Sequence, residues 1–237
     1  MIYKTIPASL LFVFSFFSIH SFISKSENKD AIAIEKTTNP NLDDANVEMV
    51  YNHLHSNQYA LPKLESFAKA LKGYYSLKEK GLIKKNILTL VDFSLSSNSK
   101  RLWVIDLATN TILFQSLVAH GRNTGEEFAK NFSNSAQSFK SSLGFYATGE
   151  IYSGKHGMSL RLDGLEKGIN DNARSRGVVV HGANYVSNSF IKNNKRLGRS
   201  QGCPALPEEL SKEIINVIKD KSCLFIYHPS AISKFVS

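Results

Sequence analysis

Apolar positions change period along the chain, and that change divides it. In residues 61–81, Leu61, Leu64, Phe67, Ala68, Leu71, Tyr74 and Tyr75 recur mostly three or four apart. That spacing lines one face of an α-helix. Pro62 suits a helix's first turn and Gly81 its end, since the first turn leaves donors unused and glycine tolerates the left-handed conformation of a C-cap. Upstream, DDANVEMVYNHLHS sets Val47, Val50, Tyr51 and Leu54 on one face. Residues 43–85 therefore read as a helical segment made of a hairpin.

From Asn86 the period falls to two, with short apolar runs between turn residues. ILTLVDFS, LGFYATGEIY, SLRLDGL, GVVVHGA and CLFIYH read as strands, and RLWVIDLATNTILFQSLVAHG reads as a hairpin around Ala108-Thr109-Asn110. Polar residues 121–142 form a long loop, a length usually reserved for function or mobility. In PEELSKEIINVIKD, Pro207 opens a helix, Glu208 and Glu209 complement its dipole, and Ile214, Ile215, Val217 and Ile218 supply a buried stripe. The predicted body, residues 86–237, is mainly β, a sandwich or barrel with one late helix.

The N-terminus obeys neither period. Residues 8–19, ASLLFVFSFFSI, are apolar apart from three serines, and Lys4 is the only charge before Lys25. The run has the length of a signal-peptide core and falls short of the ~20 apolar residues of a spanning helix. Residues 1–26 are expected to be a cleaved export signal or an uncleaved membrane anchor. Residues 27–42, polar and carrying Asn39-Pro40, read as a linker. Either form of the N-terminus sends the body across a membrane, to a periplasmic or cell-envelope location.

Composition narrows the class. The chain has 237 residues, 42% hydrophobic and 21% charged, which excludes a disordered or polytopic membrane protein. Net charge is +9, and removing Lys4 and Lys25 leaves 27 basic against 20 acidic residues, or +7. That surface suits an anionic matrix or lipid headgroups, or simply solubility. The charge is scattered without a dense Lys/Arg run, and export removes the partner, so no nucleic acid is expected. The sequence does not set an oligomeric state.

Only two cysteines, Cys203 and Cys223, are present. They permit a disulfide, two inert core thiols or one reactive thiol. Context separates them. Cys223 begins the apolar CLFIYH, where a small buried thiol fits. Cys203 ends Gly198-Arg199-Ser200-Gln201-Gly202-Cys203, a turn with guanidinium groups close by. A free thiol of pKa ~8.5 needs such neighbours to be reactive. Gly202 permits close backbone approach, and the N–H groups of Gln201, Gly202 and Cys203 can form an oxyanion hole. His181, at the end of a predicted strand and followed by Gly182, is a natural base.

His181-Gly182, a loop, then Ser200-Gln201-Gly202-Cys203 resembles the signature of the murein L,D-transpeptidase catalytic domain family, with its YkuD-like fold. VAHGRNTG, SSLGFYATGEIYSGKHGMSLRLDGLEKGIND and RSQGCPAL extend the resemblance over residues 86–230. The resemblance implies Cys203 as nucleophile, His181 as general base, and the Gly182 carbonyl as the group holding the imidazole. It implies a thioester intermediate on peptidoglycan stem tetrapeptides, resolved by a second stem or by water. It implies inhibition by carbapenem-type β-lactams and no metal or other cofactor. The chain departs from the commoner pattern in two ways. Gln201 stands where His is usual, and Pro204 and Ala205 follow the cysteine where Asn or Arg is usual. These departures bear on substrate recognition around the nucleophile.

Other residues have competing readings. Ser200, Arg199, Arg161, His120 and His156 are candidate substrate contacts, while Arg174 and Arg176 are further guanidinium groups able to take a carboxylate. For each arginine the alternative is a solvated basic face, and for the histidines a structural role. His53 and His55 point to different faces of a helix, against a metal site. A non-catalytic peptidoglycan-binding protein of the same fold is the alternative to an enzyme.

Overall fold

The computed structural model describes residues 43–230. The expected export signal or anchor (1–26) and linker (27–42) lie outside the described residues. Among those described, no helix is long and apolar enough to cross a membrane.

Two helices open the described chain. α1 (Asp44–Asn52) is capped by Asp43, whose carboxylate accepts from the Asn46 N–H at 2.8 Å. That bond satisfies one of the orphan donors of the first turn. α2 (Leu64–Glu79) begins after Pro62 rather than with it. Leu61 and Leu64, counted above in the apolar stripe, stay exposed at this entry. The stop is as expected: Gly81 adopts φ +69°, its N–H bonds Lys78 O, and the Leu82 N–H bonds Leu77 O. This pair of hydrogen bonds closes the last turn in a Schellman motif. Phe67, Ala70, Leu71, Gly73, Tyr74 and Leu77 form the buried face.

The body is one eight-stranded sheet: β1 (Ile87–Asp92), β2 (Leu102–Asp106), β3 (Thr111–Ser116), β4 (Gly144–Gly154), β5 (Gly157–Gly164), β6 (Val179–Gly182), β7 (Ala205–Leu206) and β8 (Cys223–Tyr227). Strand order is β3-β2-β1-β8-β4-β5-β6-β7. Pairing is antiparallel except for β1 with β8 and β6 with β7. Just after β3, Ala119 exchanges two backbone hydrogen bonds with Ala205 of β7, at 2.9 and 3.3 Å. The two edges thus nearly meet, giving a barrel-like sheet that leaves little open edge.

Period two explains the layers. Along β8, Cys223, Phe225 and Tyr227 join the cluster under α2, whereas Leu224 and Ile226 join the interior cluster. β4 divides the same way, with Phe145 and Ala147 outward and Tyr146 inward. CLFIYH lacks alternation because both its faces are covered. The interior face is plugged by α4 (Glu208–Ile218), whose Ile214, Ile215 and Ile218 are fully buried. α4 follows β7 directly and packs on β6, the strand that carries His181.

The segment between β6 and β7, read from sequence as a loop, contains a short helix, α3 (Asn188–Asn194), capped by the Ser187 hydroxyl and ended by Lys195 at φ +63°. Residues 121–142 carry no helix or named strand but are tightly tied. The Thr124 hydroxyl accepts from the Ser141 N–H at 2.8 Å, and the Ser141 hydroxyl bridges the Gly121 N–H and the Gly202 carbonyl.

Candidate active site

β6 and β7 set the site. Their parallel register pairs His181 with Ala205, two residues after Cys203. His181 also faces Ser159 across the antiparallel β5–β6 pair. Cys203 and His181 both line a cavity of about 480 Å³. Its walls come from the 121–142 loop (Gln137, Phe139), the β4–β5 hairpin (Tyr152, Lys155, His156), the segment before β6 (Arg176, Gly177) and Tyr185. Lys155, Arg176 and Arg199 lie in this wall, and no Asp or Glu does.

The His181 ring is held on both sides. Nδ1 lies 2.9 Å from the Gly182 carbonyl. A carbonyl can only accept, so the proton sits on Nδ1 and Nε2 keeps its lone pair. The His156 ring stacks on His181 with centroids 4.3 Å apart. Burial pulls the His181 pKa below its ordinary value, the Gly182 carbonyl opposes this, and His156 adds to it. His181 is therefore a neutral imidazole at pH 7.

Cys203 is half-buried and free, and Cys223 is buried and free. Cys223 lies in the cluster under α2, away from this cavity, with its thiol pushed up by burial. The Cys203 thiol donates to the Gly177 carbonyl at 3.8 Å and makes no hydrogen bond to His181. Burial raises its pKa, while the Val179 N–H, the Arg176 charge and its own N–H pull it back.

Ser200 holds the turn that leads into Cys203. Its hydroxyl donates to the Cys203 carbonyl at 2.7 Å and accepts from the Gly202 N–H at 3.0 Å. Ser200 thus borders the cavity with both hydrogen bonds turned inward to the chain. Of the three N–H groups expected to form an oxyanion hole, Gly202's is already taken by that hydroxyl. The Gln201 N–H has no partner among the described residues, and the Cys203 N–H faces its own sulfur. Gly202 has φ +124°, and an added Cβ there would lie 2.8 Å from the Lys140 carbonyl. Only glycine fits between Cys203 and that loop.

The remaining expected contacts separate. His156, Arg199 and Gln201 line the cavity. Arg199 is occupied, its Nη1 donating to the carbonyls of Arg122 and Gly125 and to Glu126. His120 does not line the cavity: it is 1% exposed, accepts from the buried Arg101 guanidinium at 2.9 Å and packs edge-on to Phe93. Its apolar surroundings and Arg101 push its pKa down to about 4. Arg161 lies outside the lining too, bonding Glu150 and covering the Tyr152 ring at 4.4 Å. Both were expected near substrate from sequence, where a histidine before glycine or a lone arginine says nothing of which face it takes. Gln137, Phe139 and Tyr185 reach the cavity without any motif to mark them, and Tyr152 and Lys155 reach it from the family-like stretch 141–171, where nothing singled them out.

The profile of the L,D-transpeptidase catalytic domain matches residues 59–227, beginning before α2 and upstream of Asn86. No curated protein matches the chain. Among solved structures, an L,D-transpeptidase from Mycobacterium smegmatis is similar at 12% identity and a TM-score of 0.38, covering 60% of this chain and 59% of that one. The helical cell shape determining protein Pgp2 from Campylobacter jejuni is similar at 15% identity and a TM-score of 0.41, over 65% of this chain and 55% of that one. An L,D-transpeptidase mutant of Enterococcus faecium is similar at 11% identity and a TM-score of 0.38, over 60% and 50%. The chain thus spans 50–59% of the length of these three structures. The profile match takes in α2, the whole sheet and the cavity with its cysteine and histidine, and the chain belongs to the L,D-transpeptidase catalytic domain family.

Proposed function

We propose that the chain is a cysteine L,D-transpeptidase acting on peptidoglycan stem tetrapeptides. One observation carries the reading. A free cysteine shares a cavity with a histidine whose tautomer leaves Nε2 unprotonated. Burial keeps both groups neutral at rest, so the thiol proton passes to Nε2 as the sulfur attacks. To do this the thiol leaves the Gly177 carbonyl and turns towards His181.

The sulfur adds to the carbonyl of the amide that joins the L-centre of the third residue to the terminal D-amino acid. The oxyanion is held by the N–H groups of Gln201 and Cys203. The His181 imidazolium, steadied through Nδ1 by Gly182, returns its proton to the departing amine. The C–N bond breaks and a thioester remains. An amine of a second stem then attacks the thioester, His181 takes its proton, and the thiol is regenerated with a new amide. Water in place of the amine gives L,D-carboxypeptidase trimming. The substrate is an envelope polymer, so the reading needs export, the role expected of residues 1–26.

The test is incubation of the protein with tetrapeptide-stem muropeptides, with products identified by mass. Crosslinked dimers or tripeptide stems, lost in Cys203→Ala, support the reading. Intact-mass measurement with a carbapenem is the companion, expected to give one adduct at Cys203. Muropeptide binding with neither product nor adduct would instead assign a non-catalytic peptidoglycan-binding role.

A further inference from the structure

Arg176 borders the cavity, yet its donors are committed. Nη1 donates to the Ser133 carbonyl at 2.8 Å and the Ser142 hydroxyl at 3.1 Å. Nη2 donates to the Lys140 carbonyl at 2.7 Å and the Ser138 hydroxyl at 3.3 Å. A guanidinium has five N–H donors, so four are spent on one loop. The bidentate grip on a substrate carboxylate considered for it is thereby excluded. All four partners are neutral. Arg174 and Arg199, by contrast, each meet a carboxylate. The Arg176 charge stays uncompensated by any such contact and faces the cavity that holds Cys203.

The same short segment touches both sides of the site. Gly177, the next residue, accepts the hydrogen bond of the Cys203 thiol. An added Cβ at Gly202, the residue before the nucleophile, would lie 3.4 Å from Arg176 Nη2. The loop that Arg176 grips is under backbone strain. Gln137 and Phe139, both lining the cavity, have φ of +56° and +54°. Such conformations persist in non-glycine residues only where surrounding bonds over-determine them. Two of the four Arg176 partners, Ser138 and Lys140, flank Phe139.

We propose that Arg176 is the positioning residue of this site, clamping the strained 133–142 wall over the cavity and placing a fixed positive charge on the lining that Cys203 shares, where it favours the Cys203 anion. This rests on Cys203 being the nucleophile. Burial works against that anion, and Arg176 offsets it without touching substrate.

Arg176→Gln removes the charge and most of the clamp, whereas Arg176→Lys keeps the charge but cannot span four acceptors. The readouts are the pH profile of Cys203 alkylation by iodoacetamide and hydrogen exchange over residues 133–142, both on the full chain. R176Q is expected to slow alkylation at neutral pH about tenfold, moving its midpoint up by about one pH unit. R176K is expected to keep the midpoint near that of the parent. Both variants are expected to exchange faster across the loop. An unchanged midpoint in folded R176Q, or unchanged loop exchange in both variants, overturns the proposal. Should R176Q not fold, R176K decides: a kept midpoint with faster exchange supports the proposal, and a midpoint raised by a unit or unchanged loop exchange overturns it. Alkylation needs no muropeptide. An Arg176-dependent midpoint in a chain that forms no muropeptide product would leave this inference standing while the transpeptidase reading fell, and product formation with an Arg176-independent midpoint would do the reverse.

Discussion

Replacing Gly202 by alanine tests how tightly the turn before Cys203 is built. At φ +124° a residue bearing a Cβ is strained, at a cost of about 1–3 kcal/mol. The new methyl would also stand 2.8 Å from the Lys140 carbonyl oxygen. That oxygen cannot simply retreat, because Arg176 Nη2 holds it at 2.7 Å. Breaking a hydrogen bond to a charged group costs about 1.5–3 kcal/mol. The strain and part of that bond together predict a loss of about 3 kcal/mol. Gly168→Ala is the control. Gly168 has φ +82° with nothing within 4 Å of an added Cβ, so only the backbone term applies, about 1–2 kcal/mol. Urea unfolding at pH 7 gives the two stabilities, and intact-mass kinetics with a carbapenem give the acylation rates. Gly202→Ala is expected to be the less stable variant and to acylate at least tenfold more slowly, while Gly168→Ala acylates at the parent rate. Equal stabilities and equal rates for the two variants would refute the argument that the Lys140 carbonyl confines this turn.

Three further outcomes are expected. His120, held neutral with its pKa at about 4, binds fewer protons folded than unfolded below the ordinary value near 6.5; its contribution is therefore full above pH 6.5 and lost as pH falls towards 4, up to about 3 kcal/mol. Urea midpoints from pH 7 to 4.5 should fall less steeply in His120→Asn, and equal slopes would remove His120 as the cause. His156→Ala should raise the His181 pKa by removing both a covering ring and a repelling neighbour, which moves the acid limb of the acylation rate to higher pH, since in the proposed mechanism only neutral His181 accepts the proton; an unmoved limb would count against the stack. Gly73→Ala adds a Cβ 2.0 Å from Phe145 Cζ, on a ring stacked against Phe225 at 4.1 Å. Helix propensity favours alanine by about 1 kcal/mol, yet overpacking is expected to win by about 1–3 kcal/mol, seen as a lower melting temperature.

The chain's own pattern determined what local physics governs. The helical stripe through Phe67, Leu71 and Tyr74, the Gly81 stop, the strand runs and the Pro207 start each depend on neighbours a few residues away, and each is in the structure. His181 and, from the Ser200-Gln201-Gly202-Cys203 run, Ser200, Gln201 and Cys203, each singled out by a short motif, line one cavity. Tertiary structure decided the rest. His120-Gly121 and His181-Gly182 look alike as dipeptides, but only the fold buries one against Arg101 and turns the other into the cavity. Arg176 was one arginine among several until the loop closed around it and used four of its donors. α3 was hidden in a polar stretch because none of its residues is buried, so no apolar stripe announces it. Propensity and short motifs are set within a few bonds of each residue. Which face a side chain takes, and whether its hydrogen-bonding capacity is left for a ligand, depends on partners brought from tens of residues away.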